Sequence, residues 1–153
     1  MSNEQDKGKV ELAVFNEFTF KAGISVDQAS ISKSGLASEP DIFCTLTSGE
    51  QVAYELVEIC ASDIAAAITK IKKGGVASVI TADPTGKIIR QKMHKNYKTN
   101  RPIELLCYTN GRTVTPDEVI LNQTQLWANA TDGPFRKIWL LGERDVYLVW
   151  SHT

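Results

Sequence analysis

Apolar and polar positions along this 153-residue chain follow two periods, one suited to strands and one to helices. Residues 42–47 and 51–59 are apolar runs separated by Ser48, Gly49 and Glu50, which predicts a β-hairpin with a Gly-containing loop. Pro40 precedes the first run, where it forces extended backbone and lacks a ladder donor. Residues 103–109 predict another strand, stopped by Asn110-Gly111. Residues 137–141 and 146–150 predict a closing hairpin, and residues 76–81 and 24–26 predict two short strands.

Helical stretches lie between these runs. Residues 11–21 predict a helix stopping at Gly23. Ser62 is a good N-cap for a second, ending at Gly74-Gly75. Residues 87–98 predict a third, ended by Asn100-Arg101-Pro102. A fourth opens at Thr115-Pro116-Asp117-Glu118 and continues through residues 123–130. The polar stretch Met1 to Gly8 is expected to be disordered, and residues 24–38, rich in Ser and Gly, irregular. The pattern predicts a single domain over 1–153 of α/β (α+β) class, with a mixed central sheet flanked by helices.

Composition narrows the class further. Apolar residues make up 42% and charged residues 23%, as in ordinary globular proteins. No apolar run approaches the ~20 residues that span a bilayer, and the polar N-terminal stretch does not read as a signal peptide, so no membrane role and a cytoplasmic location are expected. Cys44, Cys60 and Cys107 lie in or beside apolar runs without metal-site spacing and read as reduced core residues. Two histidines, His94 and His152, are too few for a histidine-rich metal site. The chain also lacks G-x-S-x-G and Walker patterns, which removes most common hydrolase classes.

The candidate chemistry lies in the first hairpin. Asp41 begins one strand, and Glu55 lies in the middle of the other among Val52, Ala53, Tyr54, Leu56 and Val57. A carboxylate there is costly unless it is paired or holds a metal. Alternation places Ala53, Glu55, Val57 and Ile59 on one face and Tyr54, Leu56 and Glu58 on the other. A hairpin can bring Asp41 beside Glu55, forming a hard-oxygen site that suits Mg2+ or Mn2+, with the Leu56 carbonyl and waters completing it. An ion pair between Glu55 and an internal Arg or Lys, or an exposed strand edge, explains the same residue without a metal.

Pro40-Asp41, a hairpin and then Glu55 resemble the restriction-endonuclease-like superfamily, whose signature is written PD-(D/E)XK. The resemblance covers roughly residues 10–109. It implies an αβββαβ core, elaborated here by a C-terminal helix and β-hairpin, with Asp41 and Glu55 as magnesium ligands and a lysine two positions after the Glu that helps activate water. That position is Val57, so the chain departs from the family pattern. Some branches carry polar groups on the helix after the strands, and the resemblance points to Gln91 and Lys95 as substitutes. It also points to Glu17, as an acid of the first helix facing the metal. Glu58 is a further metal-ligand candidate if a bulge re-aims it.

Charge is unevenly spread. From Lys70 to Arg101 the chain has nine Lys/Arg and one acid, Asp83, so the segment carries about +8 and the rest about −9. Lys87, Arg90, Lys92, Lys95 and Lys98 are candidate phosphate contacts; a solvated helix face is the plainer reading. The expectation is a Mg-dependent nuclease-like protein that hydrolyses DNA phosphodiester bonds. Two alternatives stand beside it. One is a catalytically inactive nuclease-fold module that binds nucleic acid or protein. The other is a structural homodimer subunit that pairs through its C-terminal hairpin.

Overall fold

A computed structural model describes residues 3–59, 84–109, 116–128 and 133–152. In chain order the elements are α1 (Asn3–Ala22), a 3-10 turn (Gln28–Ser30), β1 (Ser32–Lys33), β2 (Ile42–Thr45), β3 (Gln51–Ile59), α2 (Pro84–Met93), β4 (Ile103–Thr109), α3 (Asp117–Ala128), β5 (Phe135–Leu141) and β6 (Val146–Ser151). The expected helix after Ser62 and the strand at 76–81 lie outside the described residues.

The six strands form one mixed sheet in sequence order. β1, β2 and β3 are successively antiparallel, β3–β4 and β4–β5 are parallel, and β5–β6 is antiparallel. The fold is therefore α+β, with three α-helices among the described residues. β3 is buried on both faces from Val52 to Val57, which explains why its sequence reads as a nearly continuous apolar run. One face packs Phe15 and Phe18 of α1 on Ile42, Cys44, Tyr54, Leu56, Leu106 and Tyr108. The other packs Ile89 and Met93 of α2 and Ile120 of α3 on Ala53, Val57, Leu105, Cys107, Ile138 and Leu140.

Local signals set several boundaries. α1 ends in a Schellman motif: Gly23 has φ +70°, its N–H donates to the Phe20 carbonyl at 3.3 Å, and Ile24 N–H donates to that of Thr19 at 2.9 Å. Gly49, with φ +96°, turns the hairpin between β2 and β3. Pro116 accepts from Val119 and Ile120 at 3.1 and 3.2 Å and so starts α3.

Three expectations are corrected. Residues 3–8 are helical, not disordered, because each residue added to a helix anchored by Phe15 and Phe18 gains a hydrogen bond once the nucleus exists. α2 ends at Met93, not Lys98. His94 and Lys95 close it with tight bonds to the carbonyls of Gln91 and Lys92, at 3.2 and 3.3 Å, and the chain then runs back towards Ser38, whose carbonyl accepts Lys98 N–H at 2.8 Å. β1 lies in the segment expected to be irregular, and residue Val26 forms only an isolated bridge to Leu46.

Candidate active site

The antiparallel register pairs Ile42 with Tyr54, so one step further along Asp41 faces Glu55. The two acids interlock across the strands: Asp41 N–H donates to Glu55 Oε1 at 3.1 Å, and Leu56 N–H donates to Asp41 Oδ2 at 2.9 Å. Buried Pro40 delivers extended backbone to this point. Glu55 is only 3% exposed, whereas the Asp41 side chain is 25% exposed, so the pair opens to solvent on the Asp41 side.

Three further elements converge on the pair. Lys92, on α2, places Nζ 2.6 Å from Glu55 Oε2. Tyr97, in the segment after α2, donates its hydroxyl to the same oxygen at 3.1 Å. On the Asp41 side, Lys33 of β1 lies 2.7 Å from Glu11 of α1 and 3.8 Å from Asp41 Oδ1. Burial, with the Asp41 charge next in weight, holds the Glu55 carboxyl above its usual range despite the pull of Lys92. Burial and the Glu55 charge likewise push the Tyr97 phenol up.

Of the residues singled out from sequence, Asp41 and Glu55 come together. Lys92, expected as a phosphate contact, is the lysine that reaches them. Lys95 is not in that position: its ammonium donates to the Ala37 carbonyl and lies 4.8 Å from the centre of the Tyr97 ring. It lies beyond the end of α2, so the shared helical face assumed for Gln91 and Lys95 does not exist. Gln91 is exposed. Glu58 is exposed on the opposite face of β3, beside Tyr108, because no bulge interrupts the β3–β4 register from Glu55 to Ile59. Glu17 is also exposed and pairs with Lys21 at 3.0 Å, one turn along the helix. Lys87 and Lys98 are exposed and Arg90 is half-buried. Val57 is 5% exposed in the core beneath α2, so the position that carries lysine in the resembled family is here an apolar packing position.

Glu11, Lys33 and Tyr97 escaped the sequence reading. Glu11 carried a signal: it precedes Phe15 and Phe18 by four and seven residues, which puts it on the buried face of α1. Lys92 carried one too, three residues after Ile89 and next to Met93 on the apolar stripe of α2. Lys33 lies in a two-residue strand with no periodicity to read, and Tyr97 falls within the predicted helix 87–98, where spacing from Ile89 and Met93 gives it an apolar packing place and no contact with Glu55.

The donor set consists of two carboxylates on one face, half-open to water, which suits a hard cation such as Mg2+ or Mn2+ that retains several waters. No group of three or more His, Cys, Asp or Glu residues suited to a metal forms among the described residues. Two other buried acids have self-contained partners. Glu104 accepts from Arg136 Nε and Trp139 Nε1, each at 2.7 Å. Asp117 accepts the N–H groups of Glu143, Arg144 and Asp145 and the Tyr147 hydroxyl at 3.0–3.2 Å. No described helix is long and apolar enough to cross a membrane. Comparison with protein-family models, curated proteins and solved structures finds no match.

Proposed function

We propose that this chain is a divalent-metal-dependent nuclease of the restriction-endonuclease-like class, acting on DNA. The observation that carries the reading is the cross-strand pairing of Asp41 with Glu55, with Lys92 Nζ 2.6 Å from the latter. The described order α1, β1, β2, β3, α2, β4 supports it as well, since it follows the αβββαβ sequence of that class. Asp41 and Glu55 would hold Mg2+ or Mn2+, which supplies a polarised phosphoryl oxygen and an activated water.

The chain's own residues do the rest. Lys92 neutralises charge on the phosphate, as a positioned ammonium does best in a partly dehydrated site. Its side chain is 21% exposed, so it can turn from Glu55 towards a ligand. Lys87, Arg90, Lys95 and Lys98 extend the positive field along the approach and neutralise flanking phosphates.

One observation favours a second reading, a nuclease fold that binds DNA without cutting it. Glu55 is 3% exposed and already accepts from Asp41 N–H, Lys92 and Tyr97. Incubation with supercoiled plasmid in Mg2+ or Mn2+ separates the two. Cleavage is expected from the wild type, with Asp41→Asn and Glu55→Gln inactive. Lys92→Ala is expected to be slower by about 10²–10³-fold, the range for loss of one electrostatic donor. Salt-sensitive DNA binding without cleavage selects the second reading, and cleavage that survives both acid substitutions refutes the first.

A further inference from the structure

Lys92 and Tyr97 share one oxygen of Glu55. Only one of them is built to stay there. Lys92 is a compact charge on a flexible four-carbon stem and is partly exposed, so it must loosen its hold on Glu55 to reach a phosphate. Tyr97 has two side-chain torsions, and its ring is held from two directions. The ring centroid of Phe135 lies 5.7 Å away, and the Lys95 ammonium lies 4.8 Å from the ring centre.

The backbone around Tyr97 is tied down as well. Lys98 N–H donates to the Ser38 carbonyl at 2.8 Å, and Lys95 donates to that of Ala37. Ala37 and Ser38 lie just before Asp41 in the chain. The segment after α2 therefore holds Glu55 through Tyr97 and steadies the approach to Asp41 through Ser38.

We infer that Tyr97 is a positioning residue, whose hydroxyl keeps the Glu55 carboxylate aimed at the Asp41 side when Lys92 turns towards a phosphate. The inference rests on the nuclease reading above. Outer partners that orient a metal-binding carboxylate typically matter by about 10–100-fold in metal affinity or activity. Tyr97→Phe keeps the ring and removes only the hydroxyl. Tyr97→Leu removes both and reports on packing.

Two measurements test it: Mn2+ affinity by isothermal titration without DNA, and kcat and KM on supercoiled plasmid. For Tyr97→Phe the expected result is Mn2+ binding weaker by about ten-fold and kcat lower by about ten-fold, with KM for plasmid unchanged. Tyr97→Leu is expected to match those losses and to melt earlier as well. An active wild type with unchanged Mn2+ affinity and kcat in Tyr97→Phe overturns the inference alone. A wild type that binds Mn2+ but does not cut refutes the nuclease reading, and the Mn2+ affinity of Tyr97→Phe then decides the inference by itself. A wild type that neither binds Mn2+ nor cuts overturns both.

Discussion

Replacing Lys92 with Met removes the ammonium 2.6 Å from Glu55 Oε2 and keeps an unbranched side chain on α2. Removing one partner of a fully buried ion pair costs about 3–5 kcal/mol. Here Lys92 is 21% exposed, and Glu55 keeps the Tyr97 hydroxyl and the Asp41 amide. The expected loss is therefore smaller, about 2 kcal/mol near neutral pH. For a chain of this length that corresponds to a Tm lower by about 4–8 °C.

The loss must also depend on pH, with a definite sign. Burial and the Asp41 charge raise the folded-state value for Glu55, and Lys92 is what opposes them. A carboxyl with a raised folded value contributes stability that is fully present below its unfolded value and is lost as pH rises through the folded one. Without Lys92 the folded value climbs further, so the window of loss widens towards neutrality. Thermal melts of Lys92→Met and wild type should differ most on the alkaline side of the Glu55 titration and converge as the pH falls into the ordinary carboxylate range. Glu55→Gln should restore most of the stability of Lys92→Met, because no buried charge is then left without a partner. A deficit that is flat with pH, a double variant no better than Lys92→Met, or an equal deficit in Lys95→Met would refute this account of the pair.

Away from this site, Asp117→Ala should lower stability by about 3 kcal/mol in denaturant melts, since it strips four donors of their acceptor at the turn between β5 and β6. Gly142→Ala should cost about 1–3 kcal/mol, because its Cβ would lie 2.7 Å from the Asp117 carboxyl carbon; the double variant should lose less than the sum of the two. Burial pushes the Cys44 thiol up to about 11 and that of Cys107 up to about 12. Peptide mapping after native alkylation near about pH 8 should find both unmodified, and both labelled after unfolding in guanidinium.

How much of this was legible from sequence depended on periodicity. β4 matches its predicted range to the residue, and β3 does as well, because each is a long apolar run bounded by turn residues. The Asp41–Glu55 pairing was legible in outline, since a tight hairpin leaves few registers. The choice between Lys92 and Lys95 turned on where α2 stops. Extending the helix to Lys98 put Gln91 and Lys95 on one face. The chain in fact leaves the helix after Met93, to bond with Ser38 and place Tyr97 on Glu55, and these are tertiary contacts that no local rule encodes. For α1 the periodicity itself separates the two acids: Phe15 and Phe18 mark a buried face that holds Glu11, and Glu17 lies off it, so the resemblance points to the wrong acid of this helix.

The three buried acids of the sheet and α3 show why the cation-binding reading attaches to one of them. Glu104 and Asp117 are surrounded by donors, a guanidinium and an indole for one, three amides and a phenol for the other. Such surroundings occupy the carboxylate oxygens and leave them nothing further to bind. Glu55 also has donors, yet a second carboxylate, Asp41, faces it directly across the strands. Like charges placed opposite one another in a ladder are destabilising, and burial, with that opposition second to it, raises the Glu55 carboxyl. A divalent cation between the two acids would relieve that opposition, which is the ground for the proposed reading. Lys33 and Lys92 then act as partial counter-charges at either side of the acid pair, which is why the strongest consequences are expected at Lys92 and Tyr97, where one oxygen of Glu55 is shared.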